Sequence, residues 1–543
     1  MPYKDTRFLH SRSMRRVLPI LLVVAAFASA CVAGADNVVS PTAGDDATAD
    51  AVSLTTLPPL TTETTDTTAA SDPSTTTTTE PQTAPDRPHG VVTPETVGIP
   101  WGEVVGLTMF RGNPTRTFYG SGPVPDAAPS VSWKFPDDPM CGQSPVGQEN
   151  KVWCGSGWTG QPVVWERADG VTEVIFGAYD KQIHFLDAAT GDRLRPDFDM
   201  GDIVKGSVTL DPDGFPIVYA GSRDPRFRII GIDGDEPHEL WSLHAKSVDG
   251  IWNDDWDSNA VVVDDMLYVG GENSWWFAIK LNRAYDADGM VTVDPQVVFE
   301  MEAWTDELRE LLGRQQSVEN STAVFGQRAY FANSAGRVVG LDVSEIELGT
   351  ADIVFDFWMG DDTDATITID EDGFLYVAAQ SDFQLRNNTS ARRVREVGQL
   401  VKLDPDQPDD PIVWSLEIPA SRGQKAGVWA TPALVGDVIF VAGNPGDLMA
   451  VDTATGDVLW SDFVGGNAWS SPVVAGDTLV IAVDCLTAEP GLRAYDLSDP
   501  TVRSVMWTKA LGDGCIESTP AIWNGQIFVG SRDGYFYALG EAA

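Results

Sequence analysis

The sequence is poor in the residue types that most often carry metal or nucleophilic chemistry. It has five cysteines and five histidines in 543 residues, with no CxxC pair and no histidine-rich spacing, so the pattern of a zinc site is absent. A GxSxG motif and a phosphate-binding glycine loop are also missing. Basic residues are scarce, since 36 Lys and Arg against 80 Asp and Glu give a net charge of −44. Such an acidic surface repels polyanions, and we expect no nucleic-acid partner.

One apolar run occurs near the N-terminus, at residues 17–27, directly after three arginines and before the sequence ASAC that ends at Cys31. The run is too short for a membrane span and is typical of an export signal. ASAC resembles a bacterial lipobox, in which the cysteine is diacylated, while Ala28 to Ala30 also fit an ordinary cleavage site. Residues 1–31 therefore predict an exported protein that is either lipid-anchored through Cys31 or secreted, with no other contact with the membrane.

The next segment, residues 32–88, is dominated by Thr, Ser, Pro, Ala and Asp and offers almost no large apolar side chain. It cannot offset its own ordering entropy, and it is predicted to be a disordered stalk. Residues 89–129 form an extended lead-in segment to the domain that we predict for residues 130–543.

Short strands recur along that domain. Residues 446–460, GDLMAVDTATGDVLW, show the unit: a strand ending in Asp452, a turn at Thr455 and Gly456, and a strand ending in Trp460. Eight such units follow one another, and four strands in each roughly 40-residue unit are typical of a β-propeller.

The two ends of the domain complement each other. The last unit stops after three strands, whereas residues 131–135, VSWKF, predict a fourth strand without its first three. A propeller lacking an outer strand keeps an open edge, and joining the ends removes it. The predicted fold class is therefore all-β: an eight-bladed β-propeller of four-stranded antiparallel blades, closed by an N-terminal strand. An open β-solenoid is the alternative.

The unit at residues 446–460 resembles the repeat of the PQQ-binding-like propeller family, which includes quinoprotein alcohol dehydrogenases and a lipoprotein that helps to assemble outer-membrane barrels. The resemblance extends over about Ser130 to Gly540, and residues 110–120 resemble the segment that often precedes such domains. In that family the tryptophan packs between neighbouring blades and the glycine permits a tight turn, so the motif implies a fold and not an activity.

Alignment of the eight units places one column of side chains at a single mouth of the central channel. The column comprises Thr159, Lys205, Asp257, Glu319, Asp364, Trp429, Trp469 and Glu517, with Asn320 beside it. Converging carboxylates bind a cation, share protons or bind a polyhydroxylated ligand, and tryptophans stack on a ring or sugar face. The pattern predicts a site for a small polar ligand, with Asp257, Glu319 and Glu517 as candidate Ca²⁺ ligands. The alternative is a set of water-facing strand ends in an acidic protein.

The family resemblance also implies an enzymatic alternative, a calcium-dependent quinoprotein that oxidises an alcohol or a sugar with PQQ. The matching candidates are Glu319 or Glu517, Asn259 or Asn320, and Asp257 or Asp364 as the catalytic base. The disulfide between adjacent cysteines that often caps the quinone is absent from this sequence, which favours binding over catalysis.

Four cysteines remain if Cys31 is processed, and an even number in an exported protein predicts disulfides. Cys141 with Cys154 closes a short loop and leaves Cys485 with Cys515. Two insertions are also expected on the propeller faces: residues 304–312, with helical spacing, and the basic segment 386–395.

Together these features predict a monomeric, exported binding or scaffold module. Its partner is either a small polar ligand at the channel mouth or an envelope protein that docks on a propeller face.

Overall fold

The computed structural model describes residues 91–146, 149–158, 160–483 and 490–540. Apart from Pro145, Val146 and Glu149, these residues belong to one compact unit. The predicted export signal, the stalk, Cys31, Thr159 and Cys485 lie outside the described residues.

Five strands precede the repeats: β1 (Gly106–Leu107), β2 (Gly120–Ser121), β3 (Ser130–Phe135), β4 (Cys141–Val146) and β5 (Glu149–Cys154). Blade 1 holds β6 (Val163–Glu166), β7 (Thr172–Gly177), β8 (Gln182–Asp187) and β9 (Phe198–Asp199). Blade 2 holds β10 (Thr209–Leu210), β11 (Ile217–Gly221), β12 (Arg226–Gly231) and β13 (His238–His244). Blade 3 holds β14 (Val261–Val263), β15 (Met266–Gly270), β16 (Trp275–Lys280) and β19 (Gln296–Glu302), with the small hairpin β17 (Ala284–Tyr285) and β18 (Val291–Thr292) inserted.

The remaining blades follow the same order. Blade 4 holds β20 (Ala323–Phe325), β21 (Arg328–Ala332), β22 (Arg337–Asp342) and β23 (Asp352–Trp358). Blade 5 holds β24 (Thr368–Ile369), β25 (Leu375–Ala378), β26 (Leu400–Leu403) and β27 (Ile412–Leu416). Blade 6 holds β28 (Ala433–Val435), β29 (Val438–Ala442), β30 (Asp447–Asp452) and β31 (Val458–Phe463). Blade 7 holds β32 (Val473–Ala475), β33 (Thr478–Val483), β34 (Gly491–Asp496) and β35 (Val505–Ala510). The last repeat holds β36 (Ala521–Trp523), β37 (Gln526–Gly530) and β38 (Phe536–Gly540).

The N-terminal strand β3 completes this last blade. It pairs antiparallel with β38, with Val131 opposite Leu539 and Phe135 opposite Phe536. The prediction of an eight-bladed propeller closed by residues 131–135 is confirmed.

Two α-helices lie in the insertions, α1 (Asp306–Leu312) before blade 4 and α2 (Asn388–Val397) within blade 5. Thr305 caps α1 and Asn387 caps α2, each accepting hydrogen bonds from backbone N–H groups of the first turn. The side chain of Asn387 also donates to the carbonyl of Leu311 at 2.9 Å, which joins the two insertions. Among the described residues, neither helix has the length and apolar content of a membrane span.

The hydrophobic core lies between adjacent blades. The second and third strands of each blade, such as β29 and β30, are mostly buried on both faces, and their sequences VIFVA and DLMAVD are accordingly mostly apolar. The outer strands are more exposed: in β35 Trp507 is buried, whereas Val505, Thr508 and Ala510 are exposed. The blades therefore stack through layers of aliphatic side chains, as the sequence pattern predicts.

The tryptophan and the glycine of the repeat meet across the interface between blades. Trp414 of blade 5 donates its indole N–H to the carbonyl of Thr453 in blade 6 at 2.9 Å. Gly456 has a φ of 77°, and a Cβ atom at this position would lie 2.8 Å from the Trp414 ring. Trp133 and Gly191 repeat the arrangement between blades 8 and 1. The Thr-Gly turn is therefore fixed both by its left-handed backbone and by the indole of the preceding blade.

The lead-in segment covers one end of the central channel and contacts the inner strand region of every blade. At blades 1 and 8, β1 pairs with β6 and β2 pairs with β36. At blades 2 to 5, main-chain or side-chain hydrogen bonds join the segment to Leu210, Val262, Val324 and Ile369. Most of these contacts lie where the inner strands end, and we call this the sealed end.

Two arginines of this segment lie inside the channel. Arg111 donates to the carbonyls of Thr431 and Pro472 in blades 6 and 7, and Arg116 donates to the carbonyl of Thr322 in blade 4. Both side chains are fully buried. Burial lowers the pKa of Arg111 to about 10 and that of Arg116 to about 9, and both guanidinium groups remain charged at neutral pH.

The cysteines agree with the predicted pairing where they are described. Cys141 and Cys154 form a disulfide between β4 and β5. Cys515 is disulfide-bonded as well, and its predicted partner, Cys485, lies outside the described residues.

Replacement of Gly456 tests the contact between blades. Gly456→Ala forces a side chain into a left-handed backbone against Trp414, and we expect it to lower the free energy of unfolding by about 2 kcal/mol or more. Gly436→Ala is the matched control, because Gly436 also has a positive φ (53°) but has nothing within 4 Å of the added carbon. Denaturant unfolding should show a larger loss in the free energy of unfolding for Gly456→Ala than for Gly436→Ala. Equal losses would mean that the indole contact contributes nothing.

His184 gives the structure a pH-dependent element beside the closing strand. Its Nε2 lies 3.2 Å from the Asp180 carboxylate and its Nδ1 lies 3.1 Å from Oδ1 of Asp197, while its ring packs against Phe135 of β3. Burial alone would lower the pKa of His184, but Asp180 and Asp197 outweigh burial and raise it.

The expected consequence is a loss of stability on the alkaline side. A histidine whose pKa is raised by folding stabilises the fold fully at pH values below its unfolded-state pKa of about 6.5. This contribution to stability is lost as pH rises through the folded-state pKa. Unfolding free energies of the wild type and of His184→Gln, measured by urea denaturation across this range, should therefore converge as pH increases. A constant difference at every pH would contradict the assignment.

Candidate functional site at the channel mouth

The opposite end of the channel, where the inner strands begin, is lined by two sets of loops. One set enters the inner strands and carries the column predicted from the sequence, and the other set joins the second strand of a blade to its third. The two sets meet as side-chain pairs. These pairs are Arg223 with Asp255, Glu272 with Lys205, Ser334 with Glu319, Gln380 with Asp364, Asn444 with Trp469, and Arg532 with Glu517.

Acidic residues gather on one side of this mouth, around Lys205. The ammonium group of Lys205 forms ion pairs with Asp257 and Glu272, the latter at 3.1 Å, and lies 3.9 Å from Asp255. Asn253 donates to the second oxygen of Glu272 at 2.9 Å. The side chains of Asp257 and Glu272 are only 4% and 3% exposed, so the electrostatic interactions in this group are weakly screened by water.

Glu319 extends the acidic group towards blade 5. One carboxylate oxygen each from Asp257, Glu272 and Glu319 lie within 4.8 Å of one another. Ser317 donates to Oε1 of Glu319 at 2.6 Å. Further along, Gln380 donates to Asp364, and the carboxyl group of Asp364 meets that of Asp362. We call Asp255, Asp257, Glu272, Glu319, Asp362 and Asp364 the mouth carboxylates.

The proton affinities of these groups reflect burial together with mutual repulsion. Burial raises the pKa of Asp257 and of Glu319 well above their ordinary values, and neighbouring carboxylates add to the shift. Burial and the charge of Glu272 raise the pKa of Asp255 to about 7. Burial would also raise the pKa of Glu272, but Lys205 and the hydrogen bonds around it lower it below its ordinary value.

The second pair of carboxyl groups behaves in the same way. Burial, then the charges of Asp364 and Glu319, raise the pKa of Asp362 well above its ordinary value. Burial raises the pKa of Asp364 to about 6. The mouth carboxylates therefore cannot all ionise at neutral pH without a compensating charge, which is the condition for binding a cation or for retaining protons.

Three tryptophans lie together at this end of the channel. The ring centroids of Trp429 and Trp469 are 4.4 Å apart, and Trp158 lies 5.7 and 5.4 Å from them. Trp469 is anchored by a hydrogen bond from its indole N–H to Asn444, whereas Trp158 and Trp429 are half-buried. The three rings form an aromatic surface that a sugar or another flat ligand can contact.

Other residues near the column have structural roles. Asn320 donates to the carbonyl of Thr363 and accepts from the backbone of Ala332, and its amide links neighbouring blades. Asn259 likewise bridges Phe110 of the lead-in segment and Ser207. Trp256 is fully buried between Phe227 and Phe277 and does not reach the mouth.

Glu517 is paired with Arg532 at 2.8 Å and does not join the predicted metal set. The structure instead groups Glu272 with Asp257 and Glu319. The reason is that Glu517 belongs to blade 8, whereas these three carboxylates belong to the neighbouring blades 3 and 4.

Sequence reasoning missed Glu272, Asp362 and Trp158. Glu272 follows the second strand of its blade, whereas an alignment on the residues before each first strand contains only the column. A second alignment, on the residues after each second strand, would have found Arg223, Glu272, Gln380 and Arg532 together.

A cavity of about 570 Å³ lies at the sealed end, between Tyr119 and residues 434–437. In its lining, Lys402 pairs with Asp370 at 3.1 Å and Tyr376 donates to Asp370 at 3.0 Å. The mouth, with its unbalanced charge, is therefore the stronger candidate site.

Comparisons with known proteins found two similar solved structures and one family model. None of the curated proteins matches the chain in sequence. A crystal structure of the computationally designed Ika8 protein is 12% identical, covering 71% of this chain and 96% of its own at a TM-score of 0.49. The crystal structure of BamB from Moraxella catarrhalis is 15% identical, covering 74% and 99% at a TM-score of 0.48. Residues 396–508 match the family model described as outer membrane protein assembly factor BamB, and the resemblance to PQQ-like propeller repeats is confirmed.

Proposed function

We propose that this protein is an exported, lipid-anchored β-propeller that binds a small polar ligand at the channel mouth. The observation that carries the proposal is the asymmetry of the channel. The lead-in segment covers one end, whereas the other end presents the mouth carboxylates beside three tryptophans. Hydrogen-bonding carboxylates next to an aromatic surface suit a ligand with hydroxyl or cationic groups and an apolar face.

Export and anchoring rest on the N-terminal sequence, with its apolar run and the ASAC segment. The disulfide of Cys141 with Cys154 is consistent with an oxidising compartment. Replacement of Cys31 by serine should move the protein from the membrane fraction to the soluble fraction. An unchanged distribution would favour the ordinary cleavage site at Ala28 to Ala30.

The mouth fits the PQQ cofactor of the enzymatic alternative poorly. PQQ carries carboxylate groups, and its binding needs cationic side chains that are free to pair with them. Lys205 and Arg223 are already paired with Asp257, Glu272 and Asp255. These pairings favour our proposal of binding over quinone-dependent oxidation by Asp257 or Asp364.

A second candidate function is an assembly scaffold for an envelope protein. It is favoured by the match of residues 396–508 to the family model described as an outer membrane protein assembly factor. The exposed arginines Arg392 and Arg395 of α2 offer a basic surface on an acidic protein for such a partner. Under this alternative, changes at the mouth leave partner capture intact and changes at these arginines abolish it.

Thermal unfolding of the full-length exported protein with a panel of sugars, polyols and polyamines tests the ligand proposal. A ligand that binds the native state increases the free energy of unfolding, by about 2.7 kcal/mol at a hundredfold excess over its Kd. It therefore also raises the unfolding temperature. The shift should disappear in Trp429→Ala and persist in Trp241→Ala, a matched change on the outer strand of blade 2. A shift that survives Trp429→Ala would place the ligand elsewhere. No shift with any compound would favour the scaffold.

A further inference from the structure

The cavity of about 570 Å³ at the sealed end lies between the lead-in segment and the hairpin turns of blades 5, 6 and 7. The lead-in segment contributes Phe118 and Tyr119 to its lining, and residues 370–372 and 434–437 contribute two of the turns. This volume is within the range of cavities that hold small organic ligands in proteins. The mouth carboxylates and the three tryptophans take no part in the lining, so the cavity is a separate place in the molecule.

The walls of this cavity are fixed by hydrogen bonds to the main chain. The hydroxyl group of Tyr119 donates to the carbonyl of Leu434 at 3.1 Å and accepts from the backbone N–H of the same residue at 2.7 Å. The hydroxyl group of Thr117 accepts from the backbone N–H of Gly98 at 2.9 Å. Walls held in this way are ordered before a ligand arrives, so binding does not have to pay for ordering them.

The cavity opens to solvent beside three glycines. Gly98, Gly436 and Gly476 belong to the lining and are exposed, and a Cβ atom added at each would meet nothing within 4 Å. Space is therefore available in front of these residues, and a ligand can enter without displacing a side chain.

Apolar side chains form part of the lining. Phe118, Leu434 and Val474 are nearly buried by the fold and contribute to the cavity wall, and Val97 and Val435 are half-buried beside them. A ligand with an apolar body covers this surface and is held there by the hydrophobic effect.

The one basic residue of the lining is already used within the fold. The ammonium group of Lys402 lies 3.1 Å from the Asp370 carboxylate and donates to the carbonyl of Thr453 at 3.3 Å. Asp370 is engaged as well, because it accepts from Tyr376 and from the backbone N–H of Asp372. This internal ion pair is neutral, so the remaining carboxylates set the charge of the cavity.

Three carboxylates of the lining are exposed, those of Glu371, Asp372 and Asp437. Within the residues that the structure describes, none of the three forms an ion pair with a basic side chain. A concave surface that carries one sign of charge over apolar walls concentrates ligands of the opposite charge. Carboxylates at the opening and apolar side chains in the wall together suit an organic cation, and they repel phosphate and other anions.

We propose that the cavity at the sealed end binds a small organic cation, an amine carried on an apolar body. The ammonium group pairs with the exposed carboxylates, and the body contacts Leu434 and Val474. The inference goes beyond the proposed function, because it assigns a second ligand to the opposite end of the channel. Since these carboxylates are exposed, in contrast to those of the mouth, added salt weakens the binding.

The experiment is hydrogen–deuterium exchange of the full-length protein with phenethylamine, phenethyl alcohol and phenylacetate, which carry a cation, a neutral group and an anion on similar apolar bodies. Phenethylamine should slow amide exchange in residues 370–374 and 434–437, with a Kd on the order of 1 mM or tighter. Phenethyl alcohol should bind about fivefold more weakly or less, and phenylacetate should give no protection.

A pair of tryptophan substitutions tests the location. Ala454→Trp places an indole in the cavity from an exposed turn and should abolish the protection. Ala189→Trp is the matched control, because Ala189 is exposed at the equivalent position of the Thr-Gly turn in blade 1, and both backbone N–H groups donate to the aspartate two residues earlier. The control should keep the protection of the wild type.

A pair of charge substitutions tests the ligand class and does not depend on the folding of Ala454→Trp. Asp372→Asn combined with Asp437→Asn should weaken phenethylamine binding about fivefold, as expected for the loss of exposed ion pairs. Asp409→Asn combined with Asp410→Asn removes the same number of charges from an exposed turn outside the cavity and should leave the affinity unchanged. Thermal unfolding without ligand confirms that each variant is folded.

The outcomes separate this inference from the proposed function. Equal affinity for the amine and the alcohol, protection that survives Ala454→Trp, or no protection up to about 10 mM phenethylamine would overturn it. Protection confined to residues 427–430 and 467–470 would place the amine at the mouth, against the second site and in favour of the proposed function. Protection at the sealed end that persists in Trp429→Ala supports the second site even if the mouth binds none of its own candidate ligands.

Discussion

The pairing of β3 with β38 is the interaction on which the rest of the structure depends. It joins the two ends of the repeat region and leaves no blade without its outer strand. Each interface between blades is then flanked by two complete blades, and the indole of one blade reaches the turn of the next, as Trp133 does across the closure itself. His184 packs against Phe135 of this closing strand, so closure also involves a buried titratable group.

The circle of blades brings loops that are distant in sequence to one mouth. Lys205 and Glu272 are separated by 67 residues and their charged groups by 3.1 Å. A propeller repeats the same loop positions around one axis. Different residue types at these positions therefore concentrate charge on blades 2 to 5 and form an aromatic surface from Trp158, Trp429 and Trp469. The scaffold is regular, and the chemistry comes from the positions where the repeats differ.

Much of the fold was predictable because it is set by local periodicity. The apolar strands, the turn at Gly456 and the incomplete last repeat all appear in the sequence, and residues 131–135 identify the missing strand. The column at the mouth followed from the same alignment. That alignment could not place Glu272 and Asp362 at the mouth. Their positions depend on how the loops that join second to third strands face the loops that enter the first strands. The role of Asn320 as a link between blades depends on its hydrogen bonds and is not visible in its residue type.

The path of the lead-in segment determines how the domain responds to a pull from its N-terminus. Val92 is bonded to Gly326 at the sealed end, and the segment that follows is bonded around the ring before the chain reaches β3. A force applied to the chain at Val92 therefore reaches these hydrogen-bonded contacts before it reaches the closing strand. The closing strand follows those contacts in the chain, so they must open before a pull at Val92 acts on β3.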